Sequence, residues 1–228
     1  SFSRYAELWN KADSALSVNG GVPISSPAWT PAACTDWKEM VFRLDSLKGH
    51  IAELSFRFGV PGPDQNFHLD DVAVFEGIRV NVRVLLDGPL DVQTGLRGDA
   101  LRTAALLPSA EPYTALGYAW KGEGGPRTVS PAALAVTGAN ALVDWVVLEL
   151  RDATDPTRVL ASAACLVQRD GDLVDVHGTS AVRMPVPQGN YYIAVRHRNH
   201  LPVCTASTVA VSTGMPLLDL SAPATPTW

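Results

Sequence analysis

Apolar residues in this chain come in short runs, and Gly, Pro, Asn or Asp cuts nearly every run before a 3.6-residue repeat can establish itself. A strand needs only about four to eight residues of two-residue alternation, whereas a helix needs a longer periodic stretch. The pattern therefore selects many strands and few helices, which makes an all-β chain built of β-sandwich modules the expected fold. Strands are expected over 37–44, 51–59, 67–76, 78–86, 141–151, 159–169, 190–198 and 203–212. In Leu54-Ser55-Phe56-Arg57-Phe58 the large apolar groups share one face, as a half-buried strand requires. In the run from Val143 to Leu150, Trp145, Val147 and Glu149 lie on one side, and Val146, Leu148 and Leu150 on the other.

The connections carry matching turn chemistry. Asp170-Gly171 sits between apolar runs, where a tight hairpin wants residues that tolerate positive φ. Residues 152–156 form a polar connector between two antiparallel strands, and Pro187-Gln188-Gly189-Asn190 reads as a turn feeding the next strand. From 87 to 131 the chain changes character, with Gly-Pro, Leu-Pro, Glu-Pro and Gly-Gly-Pro punctuation and one short helix expected near 99–106. So long a loop-rich stretch within a compact fold has a job or crosses a surface in extended form.

Composition narrows the function classes. With 46% hydrophobic and 18% charged residues the chain is neither disordered nor a membrane protein, and no stretch approaches the roughly 20 apolar residues of a membrane span. The formal charge of −5 with scattered basic residues argues against nucleic acid as a partner. The chain opens at Ser1-Phe2-Ser3-Arg4-Tyr5 without Met or a signal-type apolar run, as expected of a processed product or a piece of a longer polypeptide. Three cysteines, Cys34, Cys165 and Cys204, fit either a Cys165–Cys204 bridge with one thiol left over or three buried thiols acting as small hydrophobes.

Two resemblances cover most of the sequence. Tyr5-Ala6-Glu7-Leu8-Trp9-Asn10, Trp37-Lys38-Glu39-Met40-Val41-Phe42, residues 52–59 and Phe67-His68-Leu69-Asp70-Asp71-Val72-Ala73-Val74 resemble, in order and spacing, the back half of a galactose-binding-like jelly roll. Such modules serve as carbohydrate-binding units appended to secreted glycoside hydrolases. A complete jelly roll has about eight strands, and residues 1–78 supply four or five. The front half must come from elsewhere: from a longer parent chain, from another chain, or from packing on the second module. The later segments Val143-Asp144-Trp145-Val146-Val147-Leu148-Glu149-Leu150, Gln168-Arg169-Asp170-Gly171-Asp172 and Gly189-Asn190-Tyr191-Tyr192-Ile193-Ala194-Val195 resemble a module near the C-termini of large secreted bacterial surface proteins of adhesin type. That part is also similar to prealbumin-like or Cna-B-like immunoglobulin-type sandwiches. The implied organisation is a partial jelly roll over 1–78, a loop-rich connecting segment over 79–131 packed on the second module, and an immunoglobulin-like β-sandwich over 132–228.

No motif commits the chain to catalysis. Gly-x-Ser-x-Gly, His-Glu-x-x-His and Gly-x-x-x-x-Gly-Lys are all missing, so the expectation is a protein that is not an enzyme. Sugar binding needs exposed rings on which pyranose faces stack, and the first module offers Trp29, Trp9, Trp37 and Tyr5, with Arg57 and Glu7 as hydrogen-bonding neighbours. Trp9 and Trp37 also suit core positions. Trp29, between Pro27 and Pro31, is the ring expected in a loop, with Trp120 second. Calcium is the one cofactor the sequence suggests: Asp170, Asp172 and Asp175 place oxygen ligands around a turn, which is equally the composition of a plain Asp-Gly hairpin. The jelly-roll resemblance implies Asp71, or its neighbour Asp70, as a calcium ligand in the closing strand.

His197-Arg198-Asn199-His200 invites a metal reading too, but strand parity places His197 with Tyr191, Ile193 and Val195, and the expected role is structural. Its arginines are expected to pair with carboxylates or carbonyls at the sheet edge. The functional expectation is a non-catalytic extracellular surface protein, structural or adhesive, assembling through an incomplete sheet edge. A second copy or another surface chain would supply the missing strands. The alternative is a carbohydrate-binding fragment of a secreted polysaccharide-degrading protein, with polysaccharide as partner.

Overall fold

The computed structural model describes residues 77–86, 90–122 and 125–228, which belong to the unit Phe75–Trp228. The strands expected over 37–44, 51–59 and 67–76, and with them the partial jelly roll, lie outside the described residues.

β-branched and aromatic side chains favour the pleated state, and the longest such runs give the longest strands. The element order is β1 (Ile78–Val80), β2 (Val82–Arg83), β3 (Leu90–Asp91), β4 (Leu96–Arg97), α1 (Ala100–Thr103), α2 (Pro131–Leu134), β5 (Leu142–Arg151), β6 (Val159–Gln168), β7 (Leu173–Val174), β8 (Val182–Met184), β9 (Gly189–His197), β10 (His200–Cys204), β11 (Val209–Val211) and β12 (Leu218–Asp219). The fold is an all-β sandwich. Its main sheet runs β10-β9-β5-β6-β7, with β11 joining β9 beyond β10. All pairings in this sheet are antiparallel.

The second layer begins with the strictly alternating Ile78, Val80, Val82, Val84 and Leu86, all buried. β1 pairs β8, and β2 pairs β12 in parallel. Their inward side chains meet Val146, Leu148 and Leu150 of β5, Cys165 and Val167 of β6, and Ile193 and Val195 of β9 in one core. Each fully buried Val, Leu or Ile is worth about 1.5–3 kcal/mol, so this core outweighs any surface ion pair at about 0–1 kcal/mol.

The opposite face of the main sheet is covered as well. Leu107, Tyr113, Val129 and Ala133, from the segment between β4 and β5, pack on Trp145 and Val147 of β5 and Ala164 and Leu166 of β6. Trp145 is fully buried, and its indole N–H donates to Pro108 O at 2.8 Å. The Tyr113 hydroxyl donates to Trp145 O at 2.8 Å. The Lys121 amide donates to the Ser162 hydroxyl on β6, and the Ser162 amide and hydroxyl donate back to Lys121 O. The Pro- and Gly-rich stretch is therefore a third layer, which explains why nine of the ten residues of β5 are buried rather than alternate ones. Within this layer Ser130 caps α2, its hydroxyl accepting from Ala133 N, with Pro131 at the first helical position.

The turns follow their chemistry. Gly171 takes φ +92°, and its N–H donates to Gln168 O between β6 and β7. Asp152 accepts from the Thr154 and Asp155 amides in the connector from β5 to β6. The Tyr191 hydroxyl closes the turn before β9 by donating to Pro187 O at 2.8 Å. Beyond β10, Cys204 and Trp228 exchange backbone bonds and Ala206 N donates to Pro226 O, so residues 226–228 line the outer edge. Among the described residues no helix is long and apolar enough to cross a membrane.

Candidate functional site

Two acids stand within the apolar run of β5, and around them the polar groups of this unit converge. Glu149 is completely buried. The Tyr118 hydroxyl donates to its Oε1 at 2.6 Å. Arg151 donates from Nε and Nη2 to its Oε2 at 2.9 and 2.6 Å, while Arg196 Nη1 stands 3.5 Å from Oε1. The Arg196 guanidinium also lies 5.9 Å from the centre of the Tyr118 ring. Burial, reinforced by the Glu149 carboxylate, pushes the Tyr118 phenol well above the usual tyrosine range, so it remains a donor. Register explains the meeting, because Ala194 and Ser162 flank Glu149 on β9 and β6, and neither fills the space the arginines need.

Asp144, near the start of β5, holds the second cluster. Arg198 donates to both of its oxygens, each at 2.7 Å, and the Trp145 amide donates to Oδ1 at 2.8 Å. His197 Nε2 lies 3.2 Å from Oδ2. Burial alone would raise this acid's pKa, but the hydrogen bonds from His197, Arg198 and Trp145 outweigh it and hold the carboxyl below its ordinary range. On the far side of the His197 ring, Nδ1 stands 2.7 Å from His200 Nδ1 and 3.2 Å from the Asn199 amide. Arg97, only 2% exposed, adds a cation whose Nε and Nη1 have no hydrogen-bond partner among the described residues. Burial draws its pKa below the usual arginine value, against the pull of Asp144.

The expected ligands do not come together. Asp172 is paired with Arg83 Nε at 2.7 Å, Asp170 accepts from the Asp172 amide, and Asp175 accepts from the His177 and Thr179 amides. The three carboxylates thus stabilise their own turns on either side of β7, and no group of three or more His, Cys, Asp or Glu suited to a metal occurs among the described residues. Asp170, Asp172 and Asp175 are engaged in turn and ion-pair contacts, the chemistry of a plain Asp-Gly hairpin.

The Cys165–Cys204 bridge is corrected, since both are free, buried thiols. Cys165 lies on β6 opposite Val146 of β5, and Cys204 on β10 opposite Ala194 of β9. Two strands intervene, so three inter-strand steps of about 4.8 Å separate the thiols, well beyond the roughly 7 Å Cα limit of a disulfide. Trp29, Trp9, Trp37, Tyr5, Arg57, Asp71 and Cys34 lie outside the described residues. Trp120 is half-buried, its ring 4.7 Å from that of Tyr118 and its Nε1 donating to Thr114.

Asp144 and Glu149 were not among the sequence candidates, although a signal was present. An acid inside an otherwise apolar run must find a cation, and Arg196 and Arg198 were already expected to seek carboxylates. In comparison with protein-family models, curated proteins and solved structures, no match to this chain was found.

Proposed function

We propose that the chain is a non-catalytic structural or adhesive module of an extracellular surface protein. The observation that carries this reading is the placement of the two buried acids of β5. Asp144 and Glu149 are each tied to arginines at the heart of a sheet that is covered on both faces. Ion pairs spent in this way tie β5 to β9 and to the turn after it, while the Tyr118 hydroxyl joins the covering segment to Glu149, a use that suits a load-bearing scaffold better than a reactive cleft. Fully paired buried charges of this kind favour one arrangement over its competitors, a property useful in a module that transmits force or presents a fixed surface. The resemblance of residues 79–228 to modules of secreted adhesin-type proteins supports the same assignment, and the jelly-roll resemblance of residues 1–78 supports assembly by addition of strands from a second chain.

Sedimentation velocity on the full chain across a hundredfold concentration range tests the assembly reading. Concentration-dependent growth of the sedimenting species is the expected result. A monomer at every concentration that also binds polysaccharides on a glycan array would replace this reading with the carbohydrate-binding one.

A further inference from the structure

Among the described residues, Arg97 of β4 alone has buried side-chain nitrogens without a hydrogen-bond partner: Nε and Nη1, on a residue that is 2% exposed. Its backbone is firmly held. The Arg97 amide donates to Arg169 O at 2.8 Å, Arg169 Nε donates to Arg97 O at 2.6 Å, and the Arg169 amide donates to Ala141 O. β4 is therefore pinned where β6 ends and β5 begins, with the guanidinium directed inward.

A guanidinium keeps its charge at any ordinary pH and presents five N–H donors, so withdrawing it from water is costly unless acceptors and negative charge take the place of solvent. Asp144 attracts Arg97 through space, but both Asp144 oxygens already accept from Arg198 at 2.7 Å. Arg97 and Arg198 set two positive charges against one negative. His197, which also meets Asp144, supplies no negative charge in either protonation state. The group of three is left one negative charge short, beside donors that no protein atom accepts.

We propose that Arg97 anchors a site for one small monovalent anion, with chloride as the reference ligand, which accepts from the Nε–H of the guanidinium. Water satisfies a donor and leaves the charge excess untouched, whereas an anion does both. Burial sets the size of the ligand: a guanidinium only 2% exposed is out of reach of another chain's carboxylate or of a sugar acid, and admits an ion of one or a few atoms. The excess of a single charge selects a monovalent ion over phosphate or sulfate. Entry is by way of β3, which covers β4 through two residue pairs only and continues into the exposed residues 91–95, so local opening there is easy. Because β4 leads into the covering segment, the bound ion fastens the start of that segment to the base of the main sheet.

Thermal unfolding of the full chain tests this, with chloride exchanged for gluconate, an anion too large to enter, at constant ionic strength. At a tenfold excess of chloride over its Kd the unfolding constant should fall about elevenfold, a rise in Tm of about 3–6 °C, and bromide should act in the same way. Arg97→Met should abolish the dependence on chloride. A wild-type Tm indifferent to chloride, or the same response in R97M, would overturn the proposal. Should R97M not fold, the Nε–H resonance of Arg97 in the wild-type protein decides, with that of Arg151, already paired with Glu149, as the reference that stays in place. A saturable shift of the Arg97 signal that tracks the Tm supports the site, and a signal that chloride leaves unmoved, as a bound water would, overturns it.

Discussion

A carboxylate moved off the surface loses several kcal/mol of hydration, and Asp144 recovers this from Arg198, His197 and the Trp145 amide. Its folded pKa lies below its ordinary value, so the stability it contributes is present above about pH 4 and is lost as pH falls through the folded value. Asp144→Asn should therefore cost about 2 kcal/mol at neutral pH and flatten the loss of stability on acidification below about pH 4, as read from urea midpoints across pH. The two described cysteines make a different prediction. Burial pushes the Cys165 thiol up to about 12 and raises that of Cys204, so neither supplies much thiolate at pH 8. Iodoacetamide labelling followed by peptide mass spectrometry should leave both unmodified in the native protein and modify both after denaturation without reductant.

Turns and strands differ in how openly the sequence declares them. Strands β5, β6 and β9 were legible because β-branched residues fill long runs, and the Asp170-Gly171 turn because only glycine adopts its φ without strain. A Cβ on Gly171 would sit 2.8 Å from Val84 O, so Gly171→Ala should destabilise the protein by about 1–2 kcal/mol, measured by thermal or urea unfolding. Ala105 presents the reverse case. At φ +56° it closes α1, with its N–H donating to Arg102 O and that of Leu106 to Leu101 O, a position where glycine is the usual occupant. Ala105→Gly should raise stability by about 0.5 kcal/mol in the same assay. Strands β3, β4, β7, β8 and β12 were not legible, since two or three residues carry no period. Their pairing is decided by what they pack against.

At the scale of the whole unit, the sequence announced a sandwich with a loop-rich segment packed on it, but not which residues of that segment pack or which face of the main sheet they cover. The covering segment between β4 and β5 looked like a connector because its apolar residues, Leu107, Tyr113, Val129 and Ala133, are spaced by loops and have no regular repeat. Only the all-round burial of β5 reveals what they do. The buried ion pairs escaped for a related reason: partners such as Glu149 and Arg196 are 47 positions apart (196 − 149), and only register brings them together. Because the central strands are enclosed from both sides, the amides of Val146, Leu148 and Ile193 should exchange with deuterium more slowly than those of residues 218–228, as resolved by peptide mass spectrometry.

Enclosure on both faces also bears on how this protein can drift in sequence. In an ordinary half-covered strand every second position is free to wander, and a saturation library shows a comb of tolerant and intolerant sites. Across Leu142–Leu150 that comb should collapse into an unbroken block of intolerance, while β10, whose Leu201 and Pro202 face water, keeps its gaps. The middle of the main sheet is thus the slowest-changing part of the described chain, and its variation is pushed outward to the rim.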